Sequence, residues 1–238
     1  MTRIYTDEAE LYDIAFGWDL SDEADWLVGR LGPGCRSVLE PGCGSGRMLE
    51  ALAERGLEAV GLDLSAEMVA YARARLEGAA EVVRADMTDF DLGRRFDGAV
   101  SLVSTVGALD PAELAAHLKA MARHLGPGSR YLVQQGIDAG MWRSEWEAER
   151  DDVRLHVVWE AVDRDRSRSR VEVIAGPRAG EVVEDLHPDH GWTAAAWAEA
   201  IAGSPFEQSA CYDGEQSGWP AVALEQGGGY LWHELVAP

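Results

Sequence analysis

Glu40, Gly42, Gly44 and Gly46 stand at alternate positions of the stretch VLEPGCGSGRM, residues 38–48, and a second carboxylate, Asp63, closes the apolar run LEAVGL at 57–62. Glycines reach positive φ and carry no side chain, so a ligand can lie against their bare backbone. A helix opening at Arg47 would direct its unpaired N–H groups into the same space. Three alternate glycines exceed what an ordinary strand-to-helix connection requires. Dinucleotide sites use GxGxxG, with the third glycine three residues after the second and a pyrophosphate on the helix start; here the interval is two. A carboxylate just before the turn repels a pyrophosphate and suits an ammonium, while Asp63 can accept hydrogen bonds from a ribose diol. These residues offer the binding of a nucleoside with a cationic tail.

The elements that must position them follow from periodicity. Val38 and Leu39, after Pro33 and Gly34, read as a short buried strand, and residues 47–55 as a helix. Ser65 caps a further helix reaching about Leu76, with Met68, Val69, Ala72 and Leu76 on its buried face. A strand is expected at about 81–85. The apolar run from Phe96 to Val103 suits a central parallel strand. Ligands in such sheets sit outside the carboxyl ends of the strands, which brings Leu102, Ser104 and Thr105 toward the site. Asp110, Pro111 and Glu113 start a helix with a stripe of Leu114, Leu118, Met121 and Leu125, stopped by Gly126-Pro127-Gly128. Tyr131 to Val133 form a fifth strand, ending at Gln134 and Gln135 over the site.

Residues 136–190 leave this alternation. VRLHVVWEAV (153–162) and RVEVIA (170–175) alternate in hydrophobicity around a charged connection, DRDRSRS, which reads as an antiparallel hairpin, with a third strand near 181–186. A helix over 193–202 is capped by Thr193 and stopped by Gly203, and 206–212 with 229–236 read as a closing pair of strands, the last antiparallel to the sheet. Ahead of the glycine turn, residues 5–30 carry Tyr5, Tyr12, Phe16, Trp18, Trp26 and Leu27 on two helices. Phe16 and Trp26 are expected to dock these helices on the sheet.

An acidic residue followed by GxGxG, an acid ending the second strand, and Asp86 in VVRADM after the third together resemble the class I S-adenosylmethionine-dependent methyltransferases over residues 38–135. The resemblance implies an α/β fold, a Rossmann-like seven-stranded sheet with helices on both faces and a small antiparallel β insert after the fifth strand. It divides the chain into lid helices (1–30), a cofactor core (31–135), a substrate cap (136–190) and a closing helix and strand pair (191–238). The cofactor it implies is S-adenosylmethionine, with the ribose on Asp63, the adenine amino group on Asp86, and Met68 and Met87 packed on the adenine. Tyr12, Glu40, Gly42, Cys43, Gly44, Gly46, Arg47, Leu64 and Leu102 complete that set. Cys43 serves there as a small packing residue rather than a nucleophile.

For the acceptor the resemblance points to Tyr5, Trp18, Ser104, Thr105, Gln134, Trp142 and Trp159, with Trp146 as a further pocket residue. Methyl transfer from a sulfonium is an in-line displacement, in which orientation and exclusion of water matter most and a base is optional. His156, Gln135 and Tyr12 are the catalytic candidates, and Glu145, His187 and His190 are further bases. HPDH at 187–190 reads as a turn rather than a metal site. Transfer to nitrogen stands slightly ahead of transfer to oxygen. The alternatives are a non-catalytic cofactor-binding protein and a nicotinamide oxidoreductase, which the glycine spacing disfavours.

Composition sets the outer limits. A chain of 238 residues, 47% hydrophobic, can bury one α/β core. No run of about 18 apolar residues exists to span a membrane. The acidic N-terminal stretch has no apolar h-region, so a cytoplasmic protein is expected. Cys35, Cys43 and Cys211 lack the spacing of a disulfide framework or zinc site. A net charge of −21 disfavours a duplex nucleic-acid substrate and points to a small-molecule acceptor; the acidic field either steers a cationic amine or serves solubility or a salty habitat. A monomer or homodimer with no membrane partner is expected.

Overall fold

The computed structural model describes residues 2–226 and 228–238. Five parallel strands, β1 (Ser37–Pro41), β2 (Glu58–Asp63), β3 (Glu81–Arg84), β4 (Phe96–Ser101) and β5 (Leu125–Ile137), alternate with helices α3 (Arg47–Glu54), α4 (Ala66–Leu76) and α5 (Pro111–His124). After α6 (Ala194–Ala202), β10 (Glu207–Asp213) and β11 (Gly229–Val236) complete a seven-stranded sheet in the order β10-β11-β5-β4-β1-β2-β3. β11 runs antiparallel to both of its neighbours. The strand order reverses beside β1, where an α/β sheet opens a crevice at its carboxyl edge.

Period two explains the double-sided packing. Successive strand residues face opposite layers, and in β1 Leu39 enters a core with Leu114, Leu118, Met121 and Trp197, while Val38 enters the opposite one with Leu27, Leu49, Leu52 and Leu76. The caps read from the sequence form as expected. Ser65 accepts from Met68 N, Asp110 and Glu113 make a reciprocal capping box, and Thr193 accepts from Ala196 N. No helix among the described residues is long and apolar enough to cross a membrane.

The insert after β5 is a separate antiparallel sheet of four strands, β6 (Arg143–Arg150), β7 (Val153–Asp163), β8 (Arg166–Ala175) and β9 (Val182–Pro188). It is larger than the expected hairpin with a third strand. Most of the charged connection is strand, leaving a two-residue turn at 164–165, because Ser167 and Ser169 point inward and are buried while Arg166 and Arg168 point to solvent. Serines on the inner face hid this alternation from a hydrophobicity pattern. β6, RSEWEAER, carries few apolar residues and was hidden for the same reason.

The N-terminal segment belongs with this insert. Ile4, Leu11, Ile14 and Phe16 share one core with Leu155, Val157, Val171, Val173 and Val183, so Phe16 docks on the insert and not, as the sequence suggested, on the main sheet. Helix α1 (Ala9–Ala15) has seven residues, too few to persist alone. Buried Asp13 fastens it, accepting from Arg75, Arg150 and Tyr71 and so joining α1 to α4 and β6. α2 (Ser21–Leu31) does dock on the main sheet, through Trp26 against Tyr212, Trp219 and Trp232.

Candidate active site: the cavity between the strand ends and the insert

A cavity of about 1430 Å³ opens between the carboxyl ends of the parallel strands, α1 and the added sheet. That exceeds a usual single-ligand pocket of roughly 300–1,000 Å³, and so has room for two small molecules. Its floor is the glycine turn. Gly42 and Gly44 have φ of +68° and +53°, and a Cβ on Gly42 would lie 2.4 Å from Thr105 Cγ2. Tyr12 covers the turn from above, with Cε1 3.4 Å from the place a Gly44 Cβ would occupy, and its ring stacks on Phe16. The third glycine does something else. Gly46 faces Ala72 and Leu76, so its missing side chain allows α3 to pack on α4 and does not line the cavity.

Carboxylates surround this floor. Glu40, at the end of β1, is 5% exposed, and its Oε2 has no hydrogen-bond partner. Burial pushes its pKa up to about 8 against the pull of Arg47, with Asp63 and Glu23 adding to the rise. A buried acceptor left unpaired is costly, and a bound donor would relieve it. Asp63 lines the cavity with its oxygens partly engaged: Oδ2 accepts from Gly44 N at 2.9 Å and Oδ1 from Ser65 N at 2.8 Å. Burial still holds its carboxyl above the ordinary range, against the lowering effect of those bonds. Asp86 is set by an Asx turn to Thr88 and lines the same wall as Met87 and Leu64.

Two residues at the end of β4 are held in an uncommon conformation. Val103 and Ser104 have φ of +52° and +50°, which a branched residue rarely adopts. One side chain and one backbone N–H of β5 sustain it: Gln134 Oε1 accepts from Val103 N at 2.7 Å, and Gly136 N donates to Ser104 Oγ at 3.1 Å. The next turn brings Thr105 over Gly42. On the opposite wall, Trp159 stacks on His187 with ring centres 4.7 Å apart, and its N–H donates to Ser167.

Most of the sequence-selected residues meet in this one space: Tyr5, Tyr12, Trp18, Gly42, Gly44, Asp63, Leu64, Asp86, Met87, Ser104, Thr105, Gln134, Gln135, Trp142, Trp146 and Trp159 line it, and so do His187 and His190. Others stand apart. Met68 lies wholly buried on the inner face of α4, and exposed Leu64 takes the wall position expected of it. Cys43 packs beneath Gly61 of β2, and Leu102 is buried behind Val103. Arg47 sits outside the cavity under the Trp18 ring, 4.9 Å from its centre, within reach of Glu40 by charge alone.

His156 is not brought to the site. Alternation along β7 places Leu155, Val157 and Trp159 on the inner face and His156 on the other, where it pairs with Glu145 at 2.8 Å. Neither can act as a base in the cavity. Sequence reasoning missed Glu23, Asp189 and Tyr230, all of which line it. Burial lifts Glu23 to about 7 despite Arg47 and its bond to Gln134. In sequence Glu23 is only an acidic residue in the first turn of a helix, which the helix dipole already explains. Asp189 was in view inside HPDH. Among the described residues no group of three or more His, Cys, Asp or Glu is arranged to hold a metal.

Comparisons with known proteins agree with this geometry. A family model described as a methyltransferase domain matches residues 38–128. A dTDP-3-amino-3,4,6-trideoxy-α-D-glucopyranose N,N-dimethyltransferase of Streptomyces venezuelae is 37% identical over 136 residues, 54% of this chain and 56% of that enzyme. The match thus spans about half the length of that relative. The crystal structure of Streptomyces venezuelae DesVI superposes with a TM-score of 0.80 at 28% identity over 98% of both chains. The structure of S-adenosylmethionine-bound CalS10, an amino pentose methyltransferase from Micromonospora echinaspora, gives 0.73 at 26% identity over 94% of this chain and 96% of that one. With the glycine turn, the paired acids at the ends of β2 and β3 and the seven-stranded sheet in place, the chain has the fold of the class I S-adenosylmethionine-dependent methyltransferases and is similar to them over its cofactor-side half.

Proposed function

We propose that this protein transfers a methyl group from S-adenosylmethionine to an amine nitrogen of a small molecule. The observation that carries the reading is the unpaired, buried Oε2 of Glu40, two residues before the glycine turn, together with Asp63 and Asp86, which line the cavity above that turn. These residues suit that cofactor group by group. Glu40 would receive the ammonium of the amino-acid tail, the backbone of Gly42 and Gly44 leaves space for the tail, Asp63 would accept from the ribose, and Asp86 with Leu64 and Met87 would hold the adenine. The cofactor supplies an electrophilic methyl carbon on a sulfonium. The chain then has to hold the acceptor nitrogen in line with it and keep water away. Tyr12, Phe16 and Trp18 form a cover suited to the second task.

Nitrogen is favoured over oxygen by the acidic lining and by the aminosugar N,N-dimethyltransferase and amino pentose methyltransferase among the similar proteins. Residues 1–30 and 136–190 are assigned to the acceptor, 31–135 to the cofactor and 191–238 to closing the sheet. The shared core of Ile4, Leu11 and Ile14 with the insert supports treating the first two as one cap. A cytoplasmic monomer or homodimer without a nucleic-acid partner fits a net charge of −21. Calorimetry with S-adenosylmethionine, its demethylated product and a nicotinamide dinucleotide tests the cofactor. Transfer of labelled methyl to a panel of amines and phenols tests the acceptor atom. Binding of the dinucleotide alone, or methylation of phenols alone, would overturn the respective halves.

A further inference from the structure

The HPDH turn has no part in the cofactor half of the cavity, yet it is held from both sides. His187 Nε2 bonds to Ser169 Oγ at 2.8 Å and its ring stacks on Trp159; His190 N donates to Gly107 O at 2.6 Å, and its ring pairs with Asp165 at 3.1 Å. Asp189 lies between these two fixed imidazoles and lines the cavity. Beside it is Gln135, from the end of β5. Asp189 Oδ1 and both amide atoms of Gln135, Oε1 and Nε2, lie 3.2 Å from the point where a Cβ on Gly107 would sit, so the carboxylate and the amide face one small region. Gln135 Nε2 is already used, donating to Gly136 O at 3.1 Å. Its Oε1 is buried in a residue 2% exposed and has no partner. An unpaired amide oxygen beside a carboxylate that Ser167 only partly satisfies suits an N–H-rich cation. Burial raises Asp189 above the ordinary carboxylate range, against the lowering effects of a hydrogen bond from Ser167 and the charge of His190.

The charge of the remaining walls limits what can be attached to that cation. Among the described residues Arg164 is the only lysine or arginine lining the cavity, and it is exposed at the rim. Asp138, Asp163 and Glu215 line the same space. A diphosphate brought into it would meet several like charges and one guanidinium, whereas bidentate arginines are the usual means of holding one.

Resting on the methyltransferase reading above, we propose that the acceptor is an amine that carries no phosphate, and that Asp189 and Gln135 grip its nitrogen-bearing end. This chain would thereby differ from its similar dTDP-aminosugar enzyme, whose substrate bears a diphosphate. The class of acceptor is a free or glycosidically linked aminosugar or a comparable small alkyl amine, so the reaction that supplies it must be an amination or glycosyl transfer already completed, not one that leaves a nucleotide attached.

The experiment compares methyl 3-amino-3,6-dideoxyglucopyranoside and its 4-amino isomer with the matching dTDP-linked aminosugars. Binding is followed by calorimetry on the full chain, with and without S-adenosylhomocysteine. A phosphate-free amine should bind at least tenfold more tightly than its dTDP-linked counterpart. Asp189→Asn and Gln135→Leu should each weaken that amine at least tenfold, while S-adenosylhomocysteine affinity and melting temperature stay near wild type. Equal or tighter binding of the dTDP-linked sugars, no binding by either phosphate-free amine, or amine affinity unchanged in both folded variants would overturn the proposal. Failure of S-adenosylhomocysteine to bind the wild type would instead overturn the methyltransferase reading, because the amine arm without it still reports on Asp189 and Gln135.

Discussion

Replacing Glu40 by glutamine removes a charge at constant shape, and two opposite effects should follow. In the free protein the Glu40 carboxyl is lifted from 4.5 to about 8, chiefly by burial. The folded state therefore binds a proton more tightly than the unfolded chain between those values. The stability that Glu40 contributes as a neutral acid is complete below about pH 4.5 and is lost as pH rises through about 8. At roughly 1.36 kcal/mol for each pH unit the full displacement amounts to about 5 kcal/mol, an upper bound. Water entry and local relaxation reduce it toward the roughly 1–3 kcal/mol typical of an unsatisfied buried polar group. Glu40→Gln does not titrate, so at pH 8.5 it should be more stable than wild type by about 1–3 kcal/mol, or roughly 2–12 °C in melting temperature for a chain of this size. At pH 5 the two should melt together. Cofactor binding should move the other way, because the ammonium contact is lost: the variant should bind S-adenosylmethionine about 1.5–3 kcal/mol more weakly. In wild type that affinity should rise between pH 6 and 8, as the proton that ammonium binding must displace becomes easier to lose. Scanning calorimetry from pH 5 to 9 with titration calorimetry at each pH supplies both curves. A variant that gains nothing at high pH and binds the cofactor like wild type would refute the assignment of Glu40.

Asp63→Ala should cost about 2–3 kcal/mol of cofactor affinity through lost charge-assisted bonds. It should also lower the melting temperature, since Asp63 holds Gly44 N and Ser65 N in the free protein; unchanged affinity would leave it a structural residue only. Gly44→Val should abolish cofactor binding, because φ is +53° there and a branched side chain would press on Tyr12. Retained affinity in a folded variant would make the turn a mere connector. Trp159→Ala should raise the acceptor KM by a few-fold to tenfold, from about 0.5–1.5 kcal/mol of aromatic contact, with cofactor dissociation unchanged. Parallel loss of cofactor affinity and stability would place that tryptophan in the core instead.

What the sequence determined alone was everything whose cause lies within a few residues. The order of strands and helices follows from periods of 2 and 3.6. The caps at Ser65, Asp110 and Thr193 follow from side chains that reach donors two or three residues on. The glycine turn follows from φ values that Gly42 and Gly44 adopt without strain. Glu40 and Asp63 were legible because they end neighbouring parallel strands, a placement that the topology fixes once the strands are known. Tertiary structure decided which face of each element meets the cavity and what covers it. One step along β7 separates Trp159 on the cavity wall from Val158 and His156 on the face turned away. Met68 is wholly enclosed in the packing of α4 while Leu64, in the loop before it, stays exposed on the cavity wall. Glu23 reaches the site only because Trp26 packs α2 against Trp232 and Tyr212, some two hundred residues on in the chain. The pairing of residues 2–17 with the insert likewise rests on an apolar core assembled from separated segments. Such contacts depend on the summed burial of surfaces that no local pattern records, and for that reason the glycine turn and the strand ends were readable from the chain while the cover over them was not.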